Sequence, residues 1–271
     1  VMTASVANDL VATAVNNEGL VRAHRIEEQG GEIILAGYGG DLIHAGTIDV
    51  AGESGGSGGR AVLYTNEDAV LESNSKIIAT GDQQRPGGTV RVVANGHLNF
   101  KRGAEIDADN GGFVELSGHE GLVVRGAVQV GQGGEVLIDP DVLTIQNDSS
   151  NPHSSSTGSY GSFCPTSACV GKGFIENQLN SGADVTLVAD QEITSSGGPF
   201  TISAMSSGGD GSVGDLAVKI GVVGAGSFNC SAFHSSYSAC SGSLPSKRSL
   251  SSSSPWKLRP PSSASSNPQS D

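Results

Sequence analysis

Of the Gly-Gly pairs in the first half of the chain, the five at 30–31, 58–59, 87–88, 111–112 and 133–134 recur at repeat spacing, and the residues two and four places beyond each of these five are apolar without exception. They are Ile33 and Leu35, Ala61 and Leu63, Val90 and Val92, Val114 and Leu116, then Val136 and Ile138. The places between are mixed: Glu32, Arg60, Thr89, Phe113 and Glu135, followed by Ile34, Val62, Arg91, Glu115 and Leu137. Such alternation predicts strands with one face in a core and the other tolerating water. The pairs follow one another at 28, 29, 24 and 22 residues, a period that signals stacked repeats.

A second alternating register precedes the pairs, at Val21 and Ala23, Ile48 and Val50, Ile77 and Ala79, Ile106 and Ala108, and Val128 and Val130. Shorter apolar stretches, Leu98 to Phe100 and Leu122 to Val124, lie between the two registers. Each repeat therefore offers three short strands, separated by glycine or asparagine corners such as Asn95-Gly96, where positive φ is expected. Three strands per turn predict a parallel β-helix, in which each strand pairs with its equivalents above and below. Burying one aliphatic side chain contributes about 1.5–3 kcal/mol, so a single coil cannot offset its ordering entropy and stability belongs to the stack. The polar stretches Glu53 to Gly58 and Asp82 to Pro86 lengthen the two longest repeats and are expected to project as loops.

The pattern changes after residue 146. Residues 147–172 have the Ser, Asn and Gly content of a loop or linker. Phe174, Ile175 and Leu179 sit at helical spacing before Asn180-Ser181-Gly182, predicting one short helix. Alternation returns at Val185 and Leu187, Phe200 and Ile202, and Leu216, Val218 and Ile220, so residues 173–223 read as a helix and a resumed coil. From 224 to 271 serine and proline dominate, and a disordered tail is expected.

Composition narrows the class. The 40 glycines among 271 residues, with 4% aromatic and 16% charged side chains, exclude a helical bundle or coiled coil. A formal charge of -13 argues against a nucleic-acid partner, whose phosphates need cationic side chains. Residues 1–146 hold 9 basic and 20 acidic side chains, whereas 147–271 hold 6 and 8. The tail carries Lys247, Arg248, Lys257 and Arg259 against Asp271 alone, which reads either as a frameshifted or truncated end or as a natural Ser/Pro-rich linker. No apolar run reaches the roughly 20 residues of a membrane-spanning helix. The start at Val1, with no signal pattern after Met2, reads as a removed leader or an interior piece of a longer protein.

The segments Ala14–Ala23 (AVNNEGLVRA), Gly30–Gly37 (GGEIILAG), Gly111–His119 (GGFVELSGH) and Val136–Ile145 (VLIDPDVLTI) resemble the filamentous haemagglutinin family. These are the secreted partners of bacterial two-partner secretion systems, including the high-molecular-weight adhesins. GGFVELSGH followed by LIDPDVLTI is the most specific part, resembling the place where such exoproteins end one run of coils and begin another. The likeness continues through Gly173–Ala189 (GFIENQLNSGADVTLVA). It implies an all-β fold, a right-handed parallel β-helix, export through an outer-membrane two-partner secretion transporter, and display at the bacterial surface or release from it. Ligands on host or neighbouring cells, glycans among them, are the implied partners. The family's amino-terminal secretion domain has no counterpart here, and Lys101-Arg102-Gly103-Ala104 is not an integrin-binding Arg-Gly-Asp triplet.

Candidate chemistry is sparse. Cys164 and Cys169 read either as a loop disulfide or as two small apolar residues. Asn147-Asp148-Ser149 and Asn229-Cys230-Ser231 match the glycosylation acceptor pattern, and Asn147 is the candidate for modification. Glu105, Asp107, Asp109 and Glu115, with Arg91 on a neighbouring coil, are the residues a polysaccharide lyase or hydrolase site would use. A solvated acidic face is the simpler reading. His24, His44, His97 and His119 share no metal-ligand spacing, and Gly208 to Leu216 places Asp215 two positions late for a calcium nonapeptide, so neither metal nor cofactor is expected. The preferred function is a stiff shaft in a surface adhesin. The alternatives are a β-helical carbohydrate-active enzyme and the stalk of a contact-dependent toxin.

Overall fold

The computed structural model describes residues 2–5, 13–23, 31–53, 55–82, 85–147, 168–196, 202 and 214–220, all within one compact unit, Val1–Cys240. Of the linker expected at 147–172, residues 148–167 lie outside the described residues, as does the disordered tail expected from 224. The fold is all-β, a parallel β-solenoid of about 6 turns with one short helix among the described residues.

Three parallel sheets run along it, their strands numbered in chain order. Sheet A stacks β1 (Met2–Ser5), β4 (Glu32–Tyr38), β7 (Arg60–Thr65), β10 (Thr89–Ala94), β13 (Phe113–Gly118), β16 (Glu135–Ile138), β19 (Asp184–Ala189) and β21 (Leu216–Ile220) in sequence order. Sheet B contains β2 (Thr13–Asn17), β5 (Asp41–His44), β8 (Ala69–Leu71), β11 (His97–Phe100) and β14 (Gly121–Val124), then β18 (Ala168–Gly171), β17 (Val142–Gln146) and β20 (Glu192–Ser196). Sheet C holds β3 (Leu20–Arg22), β6 (Thr47–Asp49), β9 (Lys76–Ile78), β12 (Glu105–Asp107) and β15 (Ala127–Gln129).

The apolar register is the cross-coil register. Ile33, Ala61, Val90, Val114, Val136 and Val185 follow one another along sheet A, as do Leu35, Leu63, Val92, Leu116, Ile138 and Leu187. Every one of these side chains lies in a single core cluster. A one-residue slip in any strand would turn its core set to water, so burial fixes the register. Outside, equivalent positions pair by charge: Arg60 with Glu32, Arg91 Nη1 with Glu115 Oε2 at 2.7 Å, and Lys76 Nζ with Glu105 Oε2 at 3.2 Å. The two loops read from Glu53 to Gly58 and Asp82 to Pro86 also stack, the Gly55 amide donating to Asp82 Oδ2 and the Asp82 amide to the Gly56 carbonyl.

Two expectations shift. Among the described non-glycine residues the left-handed positions are Asn74 and Asn110, with φ 70° and 72°, and Asn95-Gly96 turns without positive φ. Glycine at 96 leaves room for the Asp68 carboxylate, whose Oδ1 would stand 2.3 Å from a Cβ there, with the Glu67 carbonyl at 3.1 Å. The stretch read as linker contains a strand, β18, at its end.

The helix α1 (Lys172–Asn180) forms where Phe174, Ile175 and Leu179 predicted it, and all three are buried. It stands beside sheet C's last strand. Gln178 Nε2 donates to the Val128 carbonyl at 2.9 Å, so a side chain satisfies an edge carbonyl of β15 that a further strand would otherwise take. The Ser181 amide bonds back to Asn177 and Gln178, and the chain leaves through Gly182 at φ 81°.

Ser75, before β9, is 1% exposed and its hydroxyl has no hydrogen-bond partner among the described residues. A buried hydroxyl without a partner carries its desolvation cost uncompensated. Ser75→Ala is therefore expected to leave stability unchanged or raise it by up to about 1 kcal/mol, as thermal denaturation would read.

Candidate functional site

Polar side chains gather at the corner between sheets A and B, where two or three residues link the strands of each coil. Successive corners are bonded to one another. The Gly39 amide donates to Asn66 Oδ1 at 3.1 Å, the Asp68 amide to Asp41 Oδ1 at 3.3 Å, and the His97 amide to Asp68 Oδ1 at 2.7 Å. His97 Nδ1 also lies 3.2 Å from Asp68 Oδ1, and further along His119 Nδ1 lies 3.4 Å from Asp141 Oδ1. At the far end Asp139, Asp141 and Asp190 lie at this corner with His119, and Glu115 on β13 is within electrostatic reach of Asp139. Burial holds the Asp139 carboxyl above its ordinary range, repulsion from Asp190, Glu115 and Asp141 adds to the rise, and His119 opposes it.

Sheet C carries the other perturbed carboxyl. Burial raises Asp107 above the usual range; the Asp109 amide it accepts from lowers it, Asp109 and Glu105 raise it, and Lys76 lowers it. Asp49, 8% exposed, occupies the equivalent place on β6 and accepts from Arg22 Nε at 3.0 Å and from the Ala51 amide at 3.1 Å. These are turn-closing carboxylates, each tying the backbone that follows its strand.

His44 is fully buried on β5. Its Nε2 faces the Lys76 carbonyl at 3.1 Å, which can only accept, so that nitrogen carries the proton and Nδ1 accepts from Asn17 Nδ2 at 3.1 Å. Burial pushes its pKa below 6.5, partly offset by the Lys76 bond.

The two kinds of shift give opposite pH dependences. For Asp139 the folded pKa lies above the ordinary 3.8, so its cost is complete above the folded pKa and disappears as pH falls to 3.8. Asp139→Asn is expected to stabilise the protein at pH 7, and the gain should shrink on acidification. For His44 the unfolded chain takes up a proton that the folded site refuses, so stability falls as pH drops below 6.5 towards the folded pKa. Urea unfolding of the parent and Asp139→Asn proteins across pH 4–7.5 checks both signs.

The sequence candidates are distributed, not gathered. Glu105 and Asp107 lie on β12 in sheet C, and Asp109 in the turn after it. Glu115 lies on β13 in sheet A, paired with Arg91, whose guanidinium also stands 5.3 Å from the Phe113 ring centre. Arg91 and Glu115 are on adjacent coils as anticipated, but the four carboxylates do not share one face. Among the described residues no three His, Cys, Asp or Glu side chains are placed to hold a metal ion, and no helix is long and apolar enough to cross a membrane. Asn147 follows β17, exposed, with its amide donating to the Ser196 carbonyl at 3.0 Å. Cys169 is disulfide-bonded and fully buried on β18; its partner, Cys164 and Asn229 lie outside the described residues. Gln178 and the group around Asp139 escaped the sequence reading. Asp139 lies five places beyond Gly134, where the other repeats carry Ala36, Tyr64, Val93 and Ser117, so no repeat signal marked it.

The chain matches no protein-family model, and comparisons with characterised proteins and with solved structures bring no match.

Proposed function

We propose that this solenoid is a shaft segment of a bacterial exoprotein of the filamentous haemagglutinin type, displayed at or released from the cell surface and acting in adhesion. The observation supporting it is the in-register stack formed by the segments that carry the family resemblance: GGFVELSGH supplies β13 and its corner, and VLIDPDVLTI supplies β16 and β17 of the next coil. A parallel stack of coils is stiff along its axis because every strand is bonded on both sides. Its outer faces, patterned by ion pairs and short corners, are the surfaces on which cell-surface ligands would bind. On this reading an outer-membrane two-partner secretion transporter exports the whole protein, using a secretion domain outside this sequence.

Fluorescent beads coated with the purified protein test the reading against epithelial cells, erythrocytes and bacteria. Saturable binding that free protein displaces supports it. Turnover of uronate polysaccharides, lost on Asp107→Asn or Asp109→Asn substitution and without cell binding, would replace it with the enzyme reading.

A further inference from the structure

The corner between β16 and β17 holds Asp139, Pro140 and Asp141, and Asp139–Pro140 is the one Asp-Pro bond in the chain. Such a bond is more open to internal attack than other peptide bonds, for two reasons. The aspartyl carboxylate reaches its own carbonyl carbon by closing a five-membered ring, and the proline nitrogen, part of a tertiary amide, is basic enough to leave as an amine. No neighbouring group has to move for the ring to close, because the nucleophile and the carbon it attacks belong to one residue.

The solenoid holds this bond fast and surrounds it with acids. The Asp139 amide donates to the Leu116 carbonyl at 3.1 Å, the Asp141 amide to the His119 carbonyl at 3.3 Å and the Gln191 amide to the Asp141 carbonyl at 2.8 Å, so the coils on both sides pin the corner. Pro140 is buried and Asp139 half-buried. The titratable groups around the Asp139 carboxyl come from each element packed against it: Glu115 on β13, His119 after that strand, Asp141 in the same turn, and Asp190 after β19 on a neighbouring coil. Burial and the three carboxylates keep a proton on Asp139 at higher pH than an ordinary aspartate would hold one, against the opposing effect of His119. The reaction needs one proton, on the carboxyl at rest and on the departing nitrogen in the transition state. Retaining that proton at the corner populates the reactive form in milder acid than the unfolded chain requires.

We propose that Asp139–Pro140 is a self-cleavage site, at which the folded solenoid nicks its own chain in mild acid. A side-chain oxygen of Asp139 bonds to the carbonyl carbon of the same residue, the carbon–nitrogen bond breaks, and the proton goes to the Pro140 nitrogen. This leaves a cyclic anhydride on Asp139 and a secondary amine on Pro140. Water then opens the anhydride, giving a free α-carboxyl and restoring the Asp139 side chain, so the sum is hydrolysis of one peptide bond. The two pieces, residues 1–139 and 140–271, stay docked, because β16 remains laddered between β13 and β19, and β17 between β18 and β20. One chain becomes two without dismantling the stack. The inference stands independently of the adhesion reading.

Denaturing mass spectrometry of the full chain held at pH 5 tests it, with the same chain unfolded in urea at that pH as the reference for the bond's intrinsic lability. Fragments ending at Asp139 and beginning at Pro140 are expected to accumulate at least about 5-fold faster in the folded protein, its fold checked by far-ultraviolet circular dichroism. Asp139→Asn, which has no carboxylate to attack, should stay folded and yield no fragments. Asp190→Asn removes a neighbour that raises the Asp139 carboxyl, so its pH–rate profile should shift to lower pH, a change that loosened packing alone would not produce. A folded rate equal to or below the unfolded rate would overturn the proposal, as would fragments that persist in Asp139→Asn. An unshifted profile in Asp190→Asn would overturn the part given to the surrounding acids.

Discussion

Gly88→Ala is expected to destabilise the protein by at least about 3 kcal/mol, the upper end of the usual cost of overpacking. A Cβ at Gly88 would stand 2.0 Å from the Gly59 carbonyl oxygen and 2.8 Å from the Gly58 carbonyl carbon and the Gly59 amide nitrogen. All three are backbone atoms, so no side-chain rotation relieves the contact. Nor can the backbone yield locally: the Gly59 carbonyl accepts from the Thr89 amide at 2.9 Å, and the Gly88 amide donates to the Ala79 carbonyl at 2.6 Å. Parting the coils to admit one methyl group would break the ladder on which each depends. Two other glycines calibrate the effect. Gly133, at φ 73° with nothing within 4 Å of its Cβ position, should lose only about 1–2 kcal/mol as alanine, the cost of left-handed backbone. Gly19, with open space and no positive φ, should tolerate alanine. Urea unfolding followed by far-ultraviolet circular dichroism ranks the three.

The second large effect joins two residues of neighbouring coils. Phe100 is fully buried, and a Cβ on Gly126 would lie 2.3 Å from its Cε2 and Cζ atoms. The ring thus occupies the volume that a side chain at 126 would need. Phe100→Ala is expected to cost about 3–5 kcal/mol through lost burial and the cavity left behind. Gly126→Ala should also destabilise, because the ring is enclosed and has nowhere to turn. Combining Phe100→Leu with Gly126→Ala is expected to be less harmful than the sum of the two single changes, since the shorter side chain vacates the space the methyl group enters. Strict additivity in a double-mutant cycle would show that the two positions do not compete for one volume.

Much of this architecture was legible because period and burial act on the same residues. Ile33, Leu35 and their equivalents were assigned to the core by spacing alone, and they are the inward rows of sheet A. The helix at Lys172–Asn180 was visible in Phe174, Ile175 and Leu179 for the same reason. The place of β18 between β14 and β17 was not. Alternation shows which face a strand buries but not which strand it lies against, and β18 is too short and too small in side-chain volume to announce itself within a Ser- and Gly-rich stretch. The carboxylates behaved similarly. Glu105, Asp107, Asp109 and Glu115 are close in sequence, but a coil carries the chain from sheet C to sheet A between Asp109 and Glu115. Asp139 and Asp190, far apart in sequence, are brought together because each ends a sheet A strand. His44 was legible as a histidine outside any ligand pattern, but its complete burial follows from inward placement on β5, with Asn17 and Lys76 satisfying both ring nitrogens.

The stacked register is the central claim, and spin-label distances along one outward row of sheet C measure it directly. Leu20, Thr47, Lys76, Glu105 and Ala127 follow one another strand by strand. Labels at position 20 paired in turn with 76, 105 and 127 should give backbone separations of about 10, 14 and 19 Å, rising by one strand spacing per repeat although 107 residues separate the last pair. Separations that fail to rise in equal steps, or that scale with the number of intervening residues, would contradict the parallel stack.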